Sequence, residues 1–189
     1  MKDMEIKTVY MPVKDYIAKY RDIPKFKEYC KVCPRYNQCW ACPELCFDAA
    51  HCLDDFQHVY ITGAKVFIED ALRSTVKGKE AVGAMAEQLT KEARAKLDPI
   101  MLGLEQQVPD SLCCYGGTCY LCKTCAKVAG KPCRFPAKRR SSLEAIGFDV
   151  GATAEELLGF ELLWSLDTLP EYITVVSALF TKELLPERV

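Results

Sequence analysis

The sequence predicts an α+β fold: a small, mostly antiparallel sheet with helices on one face and two cysteine-rich loops at one end. Two runs, at 58–68 and 172–182, predict strands, and 111–117 is a further candidate strand that leads into the second cysteine loop. Between 79 and 97, apolar residues recur every three to four positions among charged residues. This spacing predicts an amphipathic helix that packs on the sheet.

Shorter helices are predicted from their start signals. Pro12, followed by apolar residues at helical spacing, predicts a helix near 12–20. Asp98 and Pro99 resemble an N-cap and first-turn proline, which predicts that a second helix begins there and runs to about 106. Two capping-box pairs predict further short helices, and these are Ser141 with Glu144 and Thr153 with Glu156.

The charge balance argues against a global electrostatic partner. The 189 residues include 25 Lys and Arg and 26 Asp and Glu, for a net charge of -1. We therefore expect no nucleic-acid or membrane partner. The charged N-terminal segment does not match a secretory signal, and no apolar run is long enough for a membrane span, so we expect a cytoplasmic protein.

The chain contains 12 cysteines. In a reducing compartment thiols persist, so a disulfide framework is not expected for a chain of this size without an export signal. Metal binding is the explanation that remains. We expect residues 1–189 to form a single metal-binding domain with cysteine loops at 30–52 and 113–133.

The second loop contains the stronger ligand pattern. Cys119, Cys122 and Cys125 have the CxxCxxC spacing, and Cys133 provides a fourth thiol after a longer interval. Three cysteines at equal short spacing are typical of a [4Fe-4S] site, because each turn redirects the next sulfur towards the cluster. Zinc is the alternative, although zinc sites more often use two CxxC turns separated by a longer loop. Free thiols are the third possibility.

Basic residues surround this pattern. Lys123 and Arg134 belong to a run between 123 and 140 that has no acidic residue. Neighbouring cations stabilise a negatively charged thiolate cluster, so both residues are predicted to assist cofactor binding. A docking surface for an acidic redox partner and a plain solvated face are the alternatives.

The first loop offers a second possible ligand set, formed by Cys30, Cys33, Cys39 and Cys42. Two CxxC turns are a zinc signal, but the interval between them is short for zinc. Cys46 or Cys52 could replace Cys39 as a ligand, or both could be small buried hydrophobic residues.

With both loops considered, the chain resembles a prokaryotic family of small, cysteine-rich, predicted metal-binding proteins known as a domain of unknown function. The resemblance covers about 30–160 and lies in three segments: CPRYNQCWACP (33–43), CYLCKTC with PCRFP (119–136), and SSLEAIGFDVGATAEELLGF (141–160). It implies metal binding and supports Cys30, Cys33 and Cys42 more firmly than Cys39. A first cluster without Cys39 would leave one iron open to an external ligand.

These observations favour an iron–sulfur protein for electron transfer with up to two [4Fe-4S] clusters and a redox partner protein. One alternative is an enzyme that uses an open iron on a small molecule, in sulfur transfer or dehydration. The other is a structural zinc-binding interaction module. The two histidines, His51 and His58, form no recognisable catalytic triad, and no phosphate-binding loop is present in the sequence.

Overall fold

The structure, a computed structural model, describes residues 4–186 and contains a four-stranded antiparallel sheet. Its strands are β1 (Met4–Pro12), β2 (His58–Phe67), β3 (Leu112–Cys114) and β4 (Tyr172–Thr181), in the spatial order β1-β2-β4-β3. The predicted α+β class is confirmed. The long central pair β2–β4 runs from His58 opposite Thr181 to Phe67 opposite Tyr172.

Strand β1 was not predicted, because its charged and polar residues obscure the alternation that marks a half-buried strand. It lies at the edge of the sheet, where most of its side chains are exposed and need not be apolar.

The helices connect the strands in chain order. They are α1 (Val13–Tyr20), α2 (Ile23–Lys31), α3 (Asp70–Thr75), α4 (Lys79–Gln107) and α5 (Val150–Ala152). Two 3-10 turns, Ala126–Ala129 and Glu144–Ile146, and a π-helical segment, Thr153–Leu158, lie between β3 and β4. Among residues 4–186, no helix combines the length and the hydrophobicity that crossing a membrane requires.

Helix α4 covers one face of the sheet, as predicted. Its buried residues Val82, Leu89 and Ala93 pack with Val66 and Val175 from the two central strands. The apolar spacing read from the sequence therefore marks the buried side of this helix.

Helical segments also cover the opposite face, so the prediction of helices on one face describes only half of the arrangement. Tyr16 of α1 stacks on Phe148 with ring centroids 4.4 Å apart, and both pack near Phe180 of β4. The sequence does not predict that residues 143–160 help to cover this second face of the sheet. The 3-10 and π turns of this segment do not repeat at the α-helical period, so no amphipathic pattern marks them.

Three predicted helix starts are wrong. Helix α4 continues through Pro99, and Asp98 pairs with Arg94 at 2.7 Å instead of capping a new helix. In the two capping-box segments, the residues that accept bonds from helix-start amides are Ser142 and Asp149, rather than Ser141 and Thr153. A side chain that already has a partner, or one that lies a single residue out of position, cannot cap the helix.

Candidate metal centre

The first cysteine loop begins at the end of α2 and is built from tight turns. The Cys33 amide donates to the Cys30 carbonyl at 3.0 Å, and the Cys42 amide donates to the Cys39 carbonyl at 3.1 Å. Each CxxC pair therefore forms a short turn, which holds its two cysteines close together in space. Pro34 and Pro43 follow Cys33 and Cys42 and limit the backbone there.

The second cysteine loop follows β3 and contains Cys119, Cys122 and Cys125 before the 3-10 turn Ala126–Ala129. Gly130 ends that turn in the left-handed conformation, with φ of 63°, which glycine adopts at little cost. The reversal that it allows returns the chain towards the other three cysteines and brings Cys133 to the same cavity.

The two loops meet at one small cavity of about 20 Å³. Five cysteines line it, one from the first loop and four from the second: Cys39, Cys119, Cys122, Cys125 and Cys133. Cys39 is only 4% exposed, so the thiol from the first loop is the most deeply placed of the five. A volume of this size holds about one water molecule or ion.

The five thiols line the cavity without converging on a single point. Across residues 4–186, no three Cys, His, Asp or Glu side chains stand in a ready-made arrangement around one ion. A four-thiolate zinc site requires sulfurs about 2.3 Å from one metal. The chemistry of the donor set fits a soft metal, and a group with several metal atoms accepts more widely spaced thiolates.

Side chains from each loop bind the backbone of the other. Trp40 Nε1 donates to the Lys131 carbonyl at 2.9 Å, and Arg139 Nη1 donates to the Trp40 carbonyl at 3.0 Å. Lys127 Nζ donates to the Glu44 carbonyl at 2.5 Å and lies 5.2 Å from the Trp40 ring centre. These contacts hold the two loops together around the cavity.

A buried arginine anchors the start of the second loop to α4. Arg94 is 1% exposed, pairs with Asp98 at 2.7 Å and donates a hydrogen bond to the Thr118 carbonyl. The adjacent residue in the chain is Cys119. The sequence signal for this contact is an arginine on the apolar side of the helix, near Ala93 and Leu97, with a carboxylate four residues later at Asp98.

Two positively charged side chains lie at the cavity. Arg134 and Arg139 line it, and Arg134 Nη1 donates to the Thr124 carbonyl at 2.9 Å. Lys123 lines an adjoining cavity of about 480 Å³ that also borders Cys119 and Cys122. The guanidinium groups can offset negative charge on the thiolates.

Contacts among three neighbouring thiols shift their pKa values in opposite directions. Contact with Cys119 and Cys42 lowers the pKa of Cys39. The same contacts, together with burial, raise the pKa of Cys42 and of Cys119. A lowered pKa favours the thiolate form of Cys39, and thiolates are the form that binds metals.

Of the four cysteines predicted as the first ligand set, only Cys39 lines the five-cysteine cavity. Cys39 joins the second set, while Cys42 lies behind it, 3.4 Å from the Thr118 hydroxyl. Cys30 and Cys33 lie outside the five-cysteine cavity, and Cys33 is exposed. Burial raises the pKa of Cys30, with Glu144 and Cys33 adding to the effect.

The remaining cysteines have other surroundings. Cys113 and Cys114 are buried in β3 and pack into different core clusters, as adjacent residues of a strand do. Cys46 lies 3.5 Å from Arg139, and Cys52 lies 3.8 Å from Arg21. All twelve cysteines are free thiols, so no disulfide holds the loops together.

Comparison with protein families gives an independent indication of metal binding. The family model described as "Predicted metal-binding protein (DUF2284)" matches residues 17–180. The chain belongs to this family. The match includes all twelve cysteines and the whole of the cavity, which confirms the family resemblance noted in the sequence. No curated protein and no solved structure matched the chain.

Proposed function

We propose that this member of the predicted metal-binding family is an iron–sulfur protein that transfers electrons. The observation that carries the proposal is the meeting of five cysteine side chains from both loops, together with Arg134 and Arg139, at one cavity. Cys39 of the first loop would hold a [4Fe-4S] cluster together with thiolates of the second loop, which are Cys119, Cys122, Cys125 and Cys133. Such a cluster supplies one-electron redox chemistry when bound.

The protein's own residues have three roles in this proposal. The Trp40 and Arg139 contacts fix the distance between the loops. The arginines at the cavity favour the reduced, more negative state of the centre. Lys123 lies in the adjoining cavity beside Cys119 and Cys122, where an acidic redox partner would dock.

If the protein binds two clusters, we propose that the second one lies on the first loop. Cys30, Cys33 and Cys42 would be its thiolates, because Cys39 lines the other cavity. Three protein thiolates would leave one iron for an external ligand, which is the condition for the enzymatic alternative.

Structural zinc is the second candidate. The small cavity volume, about 20 Å³, favours it because that volume accepts a single ion more readily than a larger group. The lack of a ready-made set of three ligands around one ion among residues 4–186 opposes it.

Anaerobic purification followed by iron, sulfide and zinc analysis tests these candidates. We expect a brown protein with broad absorption near ~400 nm and about four irons and four sulfides per chain. About eight irons would support two clusters, and a colourless protein with one zinc would overturn the iron–sulfur proposal. Cys122→Ser should lose the centre, whereas the matched control Cys46→Ser, at an exposed cysteine outside the cavity, should keep it.

A further inference from the structure

The 141–160 segment contains a buried polar atom that the fold leaves without a partner. Ser142 and Asp149 each accept a hydrogen bond from the backbone amide three residues later. Gly147 has φ of 96°, and a Cβ there would lie 2.6 Å from the Ile23 side chain. The Oε2 atom of Glu144, in contrast, is buried without a hydrogen-bond partner.

Glu144 also lacks a cationic partner. None of the ion pairs formed by residues 4–186 includes it. Lys27 lines a cavity on one side of Glu144, but its ammonium group pairs with Glu44 at 3.0 Å. Burial raises the pKa of the Glu144 carboxyl group. A buried carboxylate is costly unless it takes up a proton or meets a cation.

Glu144 borders a second cavity, of about 350 Å³, on its other side. Thr174 lines the same cavity, and its hydroxyl oxygen is also buried without a partner. Of the three buried side-chain atoms without a partner in the described residues, two therefore belong to residues that line one cavity. Unsatisfied polar atoms that share a cavity of small-molecule size are characteristic of a ligand site.

The fold explains why the cavity is open. The pairing of β3 with β4 ends at Cys114 opposite Ala178, so residues 173–176 of β4 border the cavity beyond the last pair. Trp164, 76% exposed, forms part of its wall. The rest of the lining is mainly apolar and includes Val150, Leu162, Val175 and Val176.

We propose that this cavity binds a small organic ammonium ion, with the ammonium group at Glu144 and Thr174 and the alkyl portion against the apolar wall. An ammonium group has three donors and no acceptor, which suits one carboxylate oxygen and one hydroxyl oxygen. The Trp164 ring can contribute a favourable contact with either the alkyl chain or the cation. This site does not involve the cysteines and is independent of the metal proposed above.

Isothermal titration calorimetry of the metal-loaded full chain with n-hexylamine tests the proposal. The same measurement with hexanoate and with n-hexanol separates the ammonium group from the alkyl chain. We expect saturable binding of the amine and at least tenfold weaker binding by Glu144→Gln, a loss of about 1.4 kcal/mol. The matched control Glu155→Gln, at an exposed carboxylate nearby in the chain, should bind like the unmodified protein.

Thr174→Val provides a second variant that preserves side-chain size and tests the other orphan atom. It should weaken amine binding without changing the affinity for n-hexanol. Equal affinity for hexanoate and the amine would overturn the proposal, as would unchanged amine affinity in Glu144→Gln. Absence of saturation below about 10 mM amine would also overturn it, and the cavity would then hold water only. None of these outcomes depends on which metal the cysteines bind.

Discussion

Cys39 lies beside Cys119 in the lining of one cavity, and this contact joins two loops that are far apart in the chain. The contact lies at the wall of the five-cysteine cavity. It makes the two cysteine loops parts of one site and suggests that loss of either loop's thiols should affect the same centre.

Replacement of Arg94 by methionine should destabilise the protein. The substitution leaves Asp98 partly buried without its cation and removes the bond to the Thr118 carbonyl. We expect a loss of about 3 kcal/mol in the free energy of unfolding, measured by urea denaturation. The double variant Arg94→Met/Asp98→Asn should recover part of that loss, and no recovery would show that the ion pair is not the cause.

Replacement of Trp40 by phenylalanine should loosen the contact between the loops. The ring contact is largely preserved, but the bond from Nε1 to the Lys131 carbonyl is lost, at a cost of up to about 1 kcal/mol. We expect faster metal loss to a chelator than in the unmodified protein. Trp164→Phe, at the other tryptophan, should release metal at the original rate; equal rates in all three proteins would contradict this role of Trp40.

The stability difference between the unmodified protein and Glu144→Gln should depend on pH. Burial raises the folded-state pKa of Glu144 above its unfolded value. The contribution of Glu144 to the free energy of unfolding is therefore fully present below its pKa in the unfolded state. That contribution is lost as the pH rises through its pKa in the folded state. We expect Glu144→Gln to be more stable than the unmodified protein at pH 8, with a smaller difference towards about pH 4. Urea unfolding at several pH values measures this, and a pH-independent difference would contradict it.

For the iron–sulfur centre that we propose, neutralising the cations near the cavity should lower the reduction potential. Lys123→Gln and Arg134→Gln each remove a positive charge that favours the reduced state. For partly exposed charges we expect about 0.5 kcal/mol, or on the order of 20 mV for one electron. Protein-film voltammetry measures the shift. Lys77→Gln, before the start of α4, is the control and should leave the potential unchanged.

Much of the scaffold follows from local sequence patterns. The strands at 58–68 and 172–182 and the apolar face of α4 were predictable because their residues repeat at the period of a strand or a helix. Strand β1 and the continuation of α4 through Pro99 were not, since edge exposure and the Arg94–Asp98 pair override the local signals.

The site was only partly predictable for a different reason. CxxC spacing identifies thiols that lie close together along the chain, and both loops were found in this way. Spacing contains no information about contacts between loops. The placement of Cys39 beside Cys119, and the bonds from Trp40 and Arg139 across the loops, depend on where α2 and β3 deliver each segment.

The central claim is that one metal centre uses thiols from both loops. The most direct test compares the metal and sulfide content and the absorption spectrum of Cys39→Ser with those of Cys33→Ser, whose thiol is exposed and outside the cavity. We predict that Cys39→Ser loses or alters the centre bound by the second loop, while Cys33→Ser keeps that centre's spectrum. An unchanged centre in Cys39→Ser, with metal lost from Cys33→Ser, would contradict the account.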